Sequence, residues 1–465
     1  MEIEKKKGNK ALLGLIISLC GLGAVYLGVS AYFANHFNFG SKINFIDVSG
    51  KTIDEAHSEI MARINSYELN IQGRNGLEDK ITSDDINLQY NLKYNLQSKL
   101  REIKDNQSAI GWIGYLFKDS NANISDVIMY DYSKLENKID NSSFMNSKNI
   151  IEPQNAVLKY DKDKYEVIKE VNGSRLNRDF LKTAVLDAIN NGETILDLDE
   201  NSCYEKPEYT AKSKEVLDAK ELLDKYVSAN ITYNFIDGDE VIDGDIIKDW
   251  LVVDEKYNVN IDEKRVKEYL KTLSNNHTTV GKTRSFTTTH GNIVSVSGGD
   301  YGNKIDVLQE ASYVVEAIKN GTVENKEPKY SQKAMASGEN DIGNTYVEVS
   351  MSEQHLWFYK NGSLVVEGPV VTGNISRGTG TPSGTYKLDY KERDAVLKGQ
   401  GYASEVSFWM PFNGGIGIHD ASWRNSFGGN IYVFSGSHGC VNAPYDLANT
   451  IFNNIDEGTP IICYY

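Results

Sequence analysis

The longest apolar run in the chain is ALLGLIISLCGLGAVYLGVSAYFA, residues 11–34, 24 residues without a charge. At about 1.5 Å per residue a helix of that length crosses a hydrocarbon core of about 30 Å. Beyond it the pattern breaks into short amphipathic pieces. KINFIDVSGKTIDEAHSEIMARI predicts a strand, a Ser-Gly turn and a helix, with Thr52 as N-cap and Glu55 completing a capping box. ELNIQG and INLQYNL alternate as strands do, and 96–118 reads as helical up to the apolar IGWIGYLF. AVLKYDKDKYEVIKEV alternates and turns at Lys162–Asp163, and RDFLKTAVLDAINNG is helical with Gly192 as its C-cap. EVLDAKELLDKYVSAN opens a further region, in which KYNVNIDEKRVKEYLKTLSNN repeats the strand–loop–helix order.

Residues 41–335 therefore read as repeated α+β modules, the first at 41–210 and the second at 211–335. The polar run 322–343 closes them, with 336–343 as the linker proper. From 344 the texture changes. TYVEVSMSEQHLWFYKNGSLVVEGPVVTG is alternation broken by an Asn361-Gly362 hairpin turn, and SGTYKLDYKE, GGIGIHDA and GTPIICYY are further strands. GQGYASEVSFWMPFNGG, 399–415, reads as a loop rich in glycine and aromatics. The fold class is multidomain: a mostly-β domain at 344–465, α+β modules upstream and one N-terminal transmembrane helix at 11–34.

Composition narrows the functional classes. A chain of 465 residues is too long for one core, and 40% hydrophobic with 10% aromatic residues is globular. A net charge of −16 leaves no basic footprint for nucleic acid and no attraction to anionic headgroups, so membrane attachment has to be hydrophobic. Lys5, Lys6, Lys7 and Lys10 precede the apolar run and the next basic residue is Lys42. The positive-inside rule then makes 1–10 a cytoplasmic tail and puts the rest outside. A cleaved signal peptide is the rival, but the run exceeds its usual apolar length of about 7–15 residues, so an uncleaved anchor is expected. Of four cysteines, Cys20 lies in the anchor. The other three are an odd set, so at least one exported thiol is unpaired and a candidate reactive group. A Cys203–Cys463 bridge would join distant segments and is not expected; Cys463, in PIICYY, reads as a core residue.

Candidate chemistry gathers in GIGIHDASWR (415–424) and SGSHGCVN (435–442), where His419 precedes Ser437 by 18 positions. A thiol is mostly protonated at neutral pH, and a nearby imidazole can take its proton. His419 lies in an alternating strand opposite the Cys440 turn, and His438 shares a face with Cys440 if that segment is extended. The N–H groups of Gly439 and Cys440 are candidates for an oxyanion hole. Zinc on His419, His438 and Cys440 lacks a fourth ligand and the usual paired spacing. Tyr402, Phe408, Trp409 and Trp423, in loop-like segments, either wall a groove or pack. Arg377 and Arg424 either meet substrate carboxylates or stay solvated.

His419, Ser437, His438, Gly439, Cys440, Val441 and Asn442, in that order, resemble the L,D-transpeptidase catalytic domain; GTGTPSGTYKL (378–388) and GTPI (458–461) are similar to further segments of it. The resemblance covers about 344–465. Upstream, FIDVSGKTIDEA and TTVGKTRSFTTTHGNIVSVSGGDYGNKID resemble the peptidoglycan-binding modules that precede this domain. The resemblance implies Cys440 as nucleophile and His419 as general base, with His438 and Gly439 beside them. It also implies a third group near the histidine. Asp420 holds that place, although neighbouring side chains on a strand diverge, which leaves a backbone carbonyl as the rival. Ser437, Asn442, Tyr402, Trp409, Trp423 and Arg424 are the candidate substrate-binding residues. The implied reaction forms a thioester with a tetrapeptide stem, releases D-alanine and passes the acyl group to a neighbouring stem as a 3→3 cross-link. The expected partners are stem peptides as donor and acceptor and the membrane through 11–34. No metal or organic cofactor is implied, and carbapenems are the expected inactivators. The rival outcomes are hydrolysis, as an L,D-carboxypeptidase; transfer to a protein amine, as wall anchoring; and a non-catalytic wall-binding scaffold. The last is disfavoured by the intact motif. The implied location is a single-pass protein of the cell membrane with its catalytic domain at the wall. Segment 399–415 and the Trp423 loop are candidates for excluding water from the thioester.

Overall fold

The computed structural model describes the chain except residues 1, 45, 125–127, 146, 147, 149, 339, 400 and 401, and leaves out the side chains of 2–9, 11 and 402. Two compact units result, 1–157 with 168–213, and 158–167 with 214–465.

The first unit opens with the helix Glu2–Asn35, whose stretch Leu12–Asn35 is long and apolar enough to cross a membrane. Thr52 and Glu55 form the predicted capping box, and the helix Ile53–Asn65 buries Ala56, Ile60 and Ile64. Glu68–Gln72 is the middle strand between Ile195–Asp197 and Glu78–Thr82. The helix Arg178–Asn191 packs Leu181, Val185 and Ile189 into the same core and stops at Gly192, whose φ of 68° is the left-handed C-cap the sequence predicts. Two readings change. The helical run 96–118 is two pieces, Leu96–Asp105 and Trp112–Tyr115, because Asn106 closes the first. In INLQYNL only Gln89–Tyr90 pairs, because Asn87 takes a left-handed turn at φ 53°.

The second unit takes in the hairpin Val157–Asp161/Lys164–Ile168, nearly all of it. Tyr165 N–H donates to Asp224 there at 2.7 Å. Helices Lys214–Val227, Glu263–His277 and Val307–Asn320 share a core with the sheet Gly238–Ile242/Asn230–Phe235/Val323–Lys326. Segment 284–305 then runs onto the β domain. Arg284 pairs with Asp341 at 2.6 Å, both side chains buried, and Tyr301 N–H donates to Thr385 at 3.1 Å. The stretch 336–343, read from sequence as a linker, is thus tied down at Asp341 and Ile342, both buried.

The β domain holds two sheets. One is ordered Ser363–Pro369, His355–Lys360, Tyr346–Ser350, Pro460–Tyr464, Gly384–Lys387. The other is ordered Glu392–Gly399, Tyr402–Asn413, Ile416–Asp420, Val441–Ala443. Asn361 and Gly362 both have positive φ, 51° and 80°, the two-residue turn that hairpin twist favours. Phe358, Phe408, Met410, Phe412, Ile418, Val441 and Ile461 meet in the core. Residues 402–413 of the stretch 399–415 are therefore a strand, not a loop. Phe408, Met410 and Phe412 alternate into the core, and the chain turns at Gly414 and Gly415.

Candidate active site

The strand Ile416–Asp420 places His419 between two neighbours, opposite Trp409 on one side and Asn442 on the other. Cys440 precedes the strand Val441–Ala443 by one residue, so its side chain falls beside Gly415–Gly417. The thiol donates to the Gly415 carbonyl at 3.6 Å. A Cβ on Gly417 would lie 2.7 Å from the Trp409 ring, so glycine there lets that ring close over the strand.

The motif turn is held from both sides. Ser437 Oγ donates to the Cys440 carbonyl at 2.6 Å and accepts from Gly439 N–H at 3.0 Å. Gly439 takes φ 127°, a conformation that favours glycine. Thr381 Oγ1 donates to the Gly439 carbonyl at 2.6 Å, and Thr379 Oγ1 and Asn374 N–H donate to the Ser437 carbonyl at 3.1 and 2.9 Å. Ser437 N–H donates to Thr372, which Gln354 pins through both its amide atoms.

His419 is 3% exposed, and its Nδ1 lies 2.8 Å from the Asp420 carbonyl. A carbonyl only accepts, so this contact assigns the proton to Nδ1 and leaves the Nε2 lone pair free. Burial pushes the imidazole below its ordinary value, with the Asp420 carbonyl and carboxylate opposing. Burial also pushes the Cys440 thiol up, with the Gly417 backbone opposing. The resting pair is a thiol and a neutral imidazole. Among the described residues no hydrogen bond joins them, as in many resting sites whose contacts tighten only with substrate.

The other candidates divide. Trp423 is 49% exposed, with its ring 5.8 Å from His419, and His438 is exposed beside Cys440. Arg424 is half-buried, donates to the Ser435 carbonyl at 2.9 Å and has a buried Nε without a partner. Arg377 is exposed. The Tyr402 side chain lies outside the described residues. Five sequence readings need correction. Trp409 is buried because it faces Ala395, Val406 and Cys440 from a strand. Asn442 is buried because its backbone is paired with both His419 and Val371. The Asp420 carboxylate turns away from the ring and accepts from Phe408 N–H at 2.9 Å. Gly439 N–H is taken by Ser437, which removes it from the oxyanion candidates and commits the Ser437 hydroxyl to the turn. Sequence reasoning missed Gln354, Thr372, Asn374, Thr379 and Thr381. The segment 378–388 stood out by resemblance, but no spacing signals that its hydroxyls cap the carbonyls of a turn some 58 residues away. Among the described residues no three His, Cys, Asp or Glu side chains are gathered to share a metal ion.

These two sheets, with a cysteine and a histidine brought together at the edge of one, are the setting of a candidate thiol-dependent enzyme joined to accessory modules. Residues 344–463 match the L,D-transpeptidase catalytic domain, and residues 80–196 and 209–325 each match the domain described as "Putative peptidoglycan binding domain". The chain belongs to the L,D-transpeptidase family. A cysteine-to-serine variant of an Enterococcus faecium L,D-transpeptidase is 30% identical over 54% of this chain and 100% of that one, with a TM-score of 0.43. The catalytic domain of an E. faecium L,D-transpeptidase is 38% identical over 26% of this chain and 97% of that one, TM-score 0.24. The same domain acylated by ertapenem is 39% identical over 26% and 97%, TM-score 0.25. No curated protein matches the chain.

Proposed function

We propose that the chain forms 3→3 peptidoglycan cross-links through a thioester on Cys440. His419 Nε2 takes the thiol proton as Sγ attacks the carbonyl between the third residue and D-alanine of a tetrapeptide stem. The same proton passes to the departing D-alanine amine. The side-chain amine of a neighbouring stem then attacks the thioester and gives a proton to His419, which passes it to the departing Cys440 sulfur and restores the thiol. The observation that carries this reading is the 2.8 Å contact between His419 Nδ1 and the Asp420 carbonyl, which leaves Nε2 as the base. Asp420 acts here as a positioning residue through its backbone, and Ser437 as one through the turn. In this reading Trp423, His438 and Arg424 contact the stem. A carbapenem offers the same thiol a strained carbonyl, so Cys440 is the residue it acylates. The apolar helix serves as an uncleaved anchor with the catalytic domain outside, and the modules hold peptidoglycan.

The test is mass spectrometry of purified tetrapeptide muropeptides incubated with the full chain in detergent. The expected product is a dimer that has lost one D-alanine and carries a 3→3 linkage. Tripeptide alone at saturating acceptor would make the protein an L,D-carboxypeptidase.

A further inference from the structure

We propose that residues 109–117 form a second membrane contact, a re-entrant wedge in the outer leaflet beside the transmembrane helix. The proposal rests on the anchor reading above. Both ends of this segment are fixed just outside the apolar helix. Asn38, three residues past the helix end, donates its N–H to Gln107 Oε1 at 2.9 Å and its side-chain amide to the Ser108 carbonyl at 3.2 Å. On the return, Ser120 N–H donates to Gly40 at 2.9 Å and Lys42 meets Asp119 at 3.2 Å. The middle of the segment turns the other way, along the helix toward the membrane. Tyr26 OH donates to the Ile110 carbonyl at 2.6 Å, and the Trp112 ring lies 6.1 Å from Tyr26 and 6.3 Å from Phe33. Tyr26 is nine residues before Asn35, about 14 Å down a helix axis.

The residues fit that depth. AIGWIGYLF carries no charge, while Lys118 and Asp119 follow at once. Ile110, Ile113, Leu116 and Phe117 are exposed, Phe117 at 88%, as are Leu22, Val25 and Leu27 on the helix that Ile110 and Trp112 touch. An exposed apolar segment bound to a lipid-facing helix has acyl chains as its occupant. The backbone is prepared for a dry setting. The Gly111, Gly114 and Leu116 N–H groups donate to the Ser108, Gly111 and Ile113 carbonyls at 3.0–3.2 Å, and the Ile110 carbonyl is taken by Tyr26. Non-helical backbone is tolerated at membrane depth when its polar groups are met in this way. Tyr32 and Phe33 lie in the last turn of the helix, where aromatic belts sit, and the Trp112 ring reaches Phe33 there. The consequence is that the first module is clamped to the bilayer at two elements.

The experiment reconstitutes the full chain in phosphatidylcholine vesicles containing a phospholipid with a diazirine in its acyl chain. After irradiation, adducts are mapped by peptide mass spectrometry. Adducts on both 12–35 and 110–117, with the second at least tenfold above peptides of the soluble modules, are the expected result. Adducts confined to 12–35 overturn the wedge and leave the anchor standing. Adducts on neither overturn the anchor, and the wedge with it.

Discussion

His419 is oriented by the main chain of Asp420 and not by its carboxylate: Nδ1 lies 2.8 Å from the carbonyl, while the carboxylate takes Phe408 N–H on the far side of the strand at 2.9 Å. Strand geometry favours this split, since the side chains of neighbouring residues point to opposite faces and the Asp420 carboxylate is carried away from the face of the His419 ring. Asp420→Asn keeps an acceptor for Phe408 and leaves the carbonyl untouched. Its acylation rate by a β-lactam should stay within about threefold of wild type, while Asp420→Ala, which orphans a buried N–H, should lose about 1–3 kcal/mol of stability. A loss of activity in a fully folded Asp420→Asn protein would mean that the carboxylate itself tunes the ring.

The two burial shifts set a pH profile. His419 is held below its ordinary 6.5 and Cys440 above its ordinary 9.0, so the thiol–imidazole pair keeps one protonation state between those values. Acylation rates should be flat from about pH 6.5 to about pH 8, with the acid limb lying below 6.5. Stability follows by linkage. The unfolded imidazole binds a proton below 6.5 while the buried one resists it, so the stability from His419 is fully present above that pH and is lost as pH falls beneath it. Denaturant midpoints across this range should fall less in His419→Gln than in wild type.

How much of this was legible depends on whether a signal is local. The capping box at Thr52, the left-handed cap at Gly192 and the turn at Asn361-Gly362 rest on residues a few positions apart, and each is present. The stretch 399–415 misled because its glycines suggested a loop, while the alternation of Phe408, Met410 and Phe412 carried the strand. The motif marked where Cys440 and His419 lie. Nothing in it shows that Thr379 and Thr381 close the turn or that Asn442 faces inward, because those facts depend on pairing between distant segments.

That pairing can be tested at Thr381. Its Oγ1 donates to Gly439 and accepts from Gly373 N–H at 3.0 Å, both in buried surroundings. Thr381→Val keeps the shape and leaves two polar groups unmet, so a loss of about 2–4 kcal/mol is expected from thermal unfolding. Acylation should slow at least tenfold with donor KM little changed, because the turn carrying Cys440 moves and the stem contacts do not. Unchanged acylation would show that the turn holds without it.

Of Cys203, Cys440 and Cys463 only Cys440 should react. Burial pushes Cys203 up to about 11 and Cys463 to about 12, and both are fully buried, whereas Cys440 keeps an open side. Intact-mass and peptide mapping after carbapenem treatment should place a single adduct on Cys440, and Cys440→Ala should take up none. An adduct on a folded Cys440→Ala protein would refute the assigned nucleophile.

The last prediction separates two tryptophans that sequence alone ranks together. Trp409 is 6% exposed, covers Gly417 and packs with Ala395 and Val406, so cutting it to alanine should cost about 3–5 kcal/mol. Its effect on products is then inseparable from damage to the sheet. Trp423 is 49% exposed with its ring 5.8 Å from His419, and its removal leaves no cavity in the core. A thioester survives in water only where the acceptor is held and solvent is kept away, and an aromatic at the open side of the base is placed to do both. Trp423→Ala should keep its melting temperature within about 2 °C, the change expected of an exposed substitution. It should also shift products from cross-linked dimer toward tripeptide by at least threefold. If the product ratio is unchanged, water is excluded by something other than Trp423. If total acylation falls instead, the ring binds the donor stem and has no part in resolving the thioester.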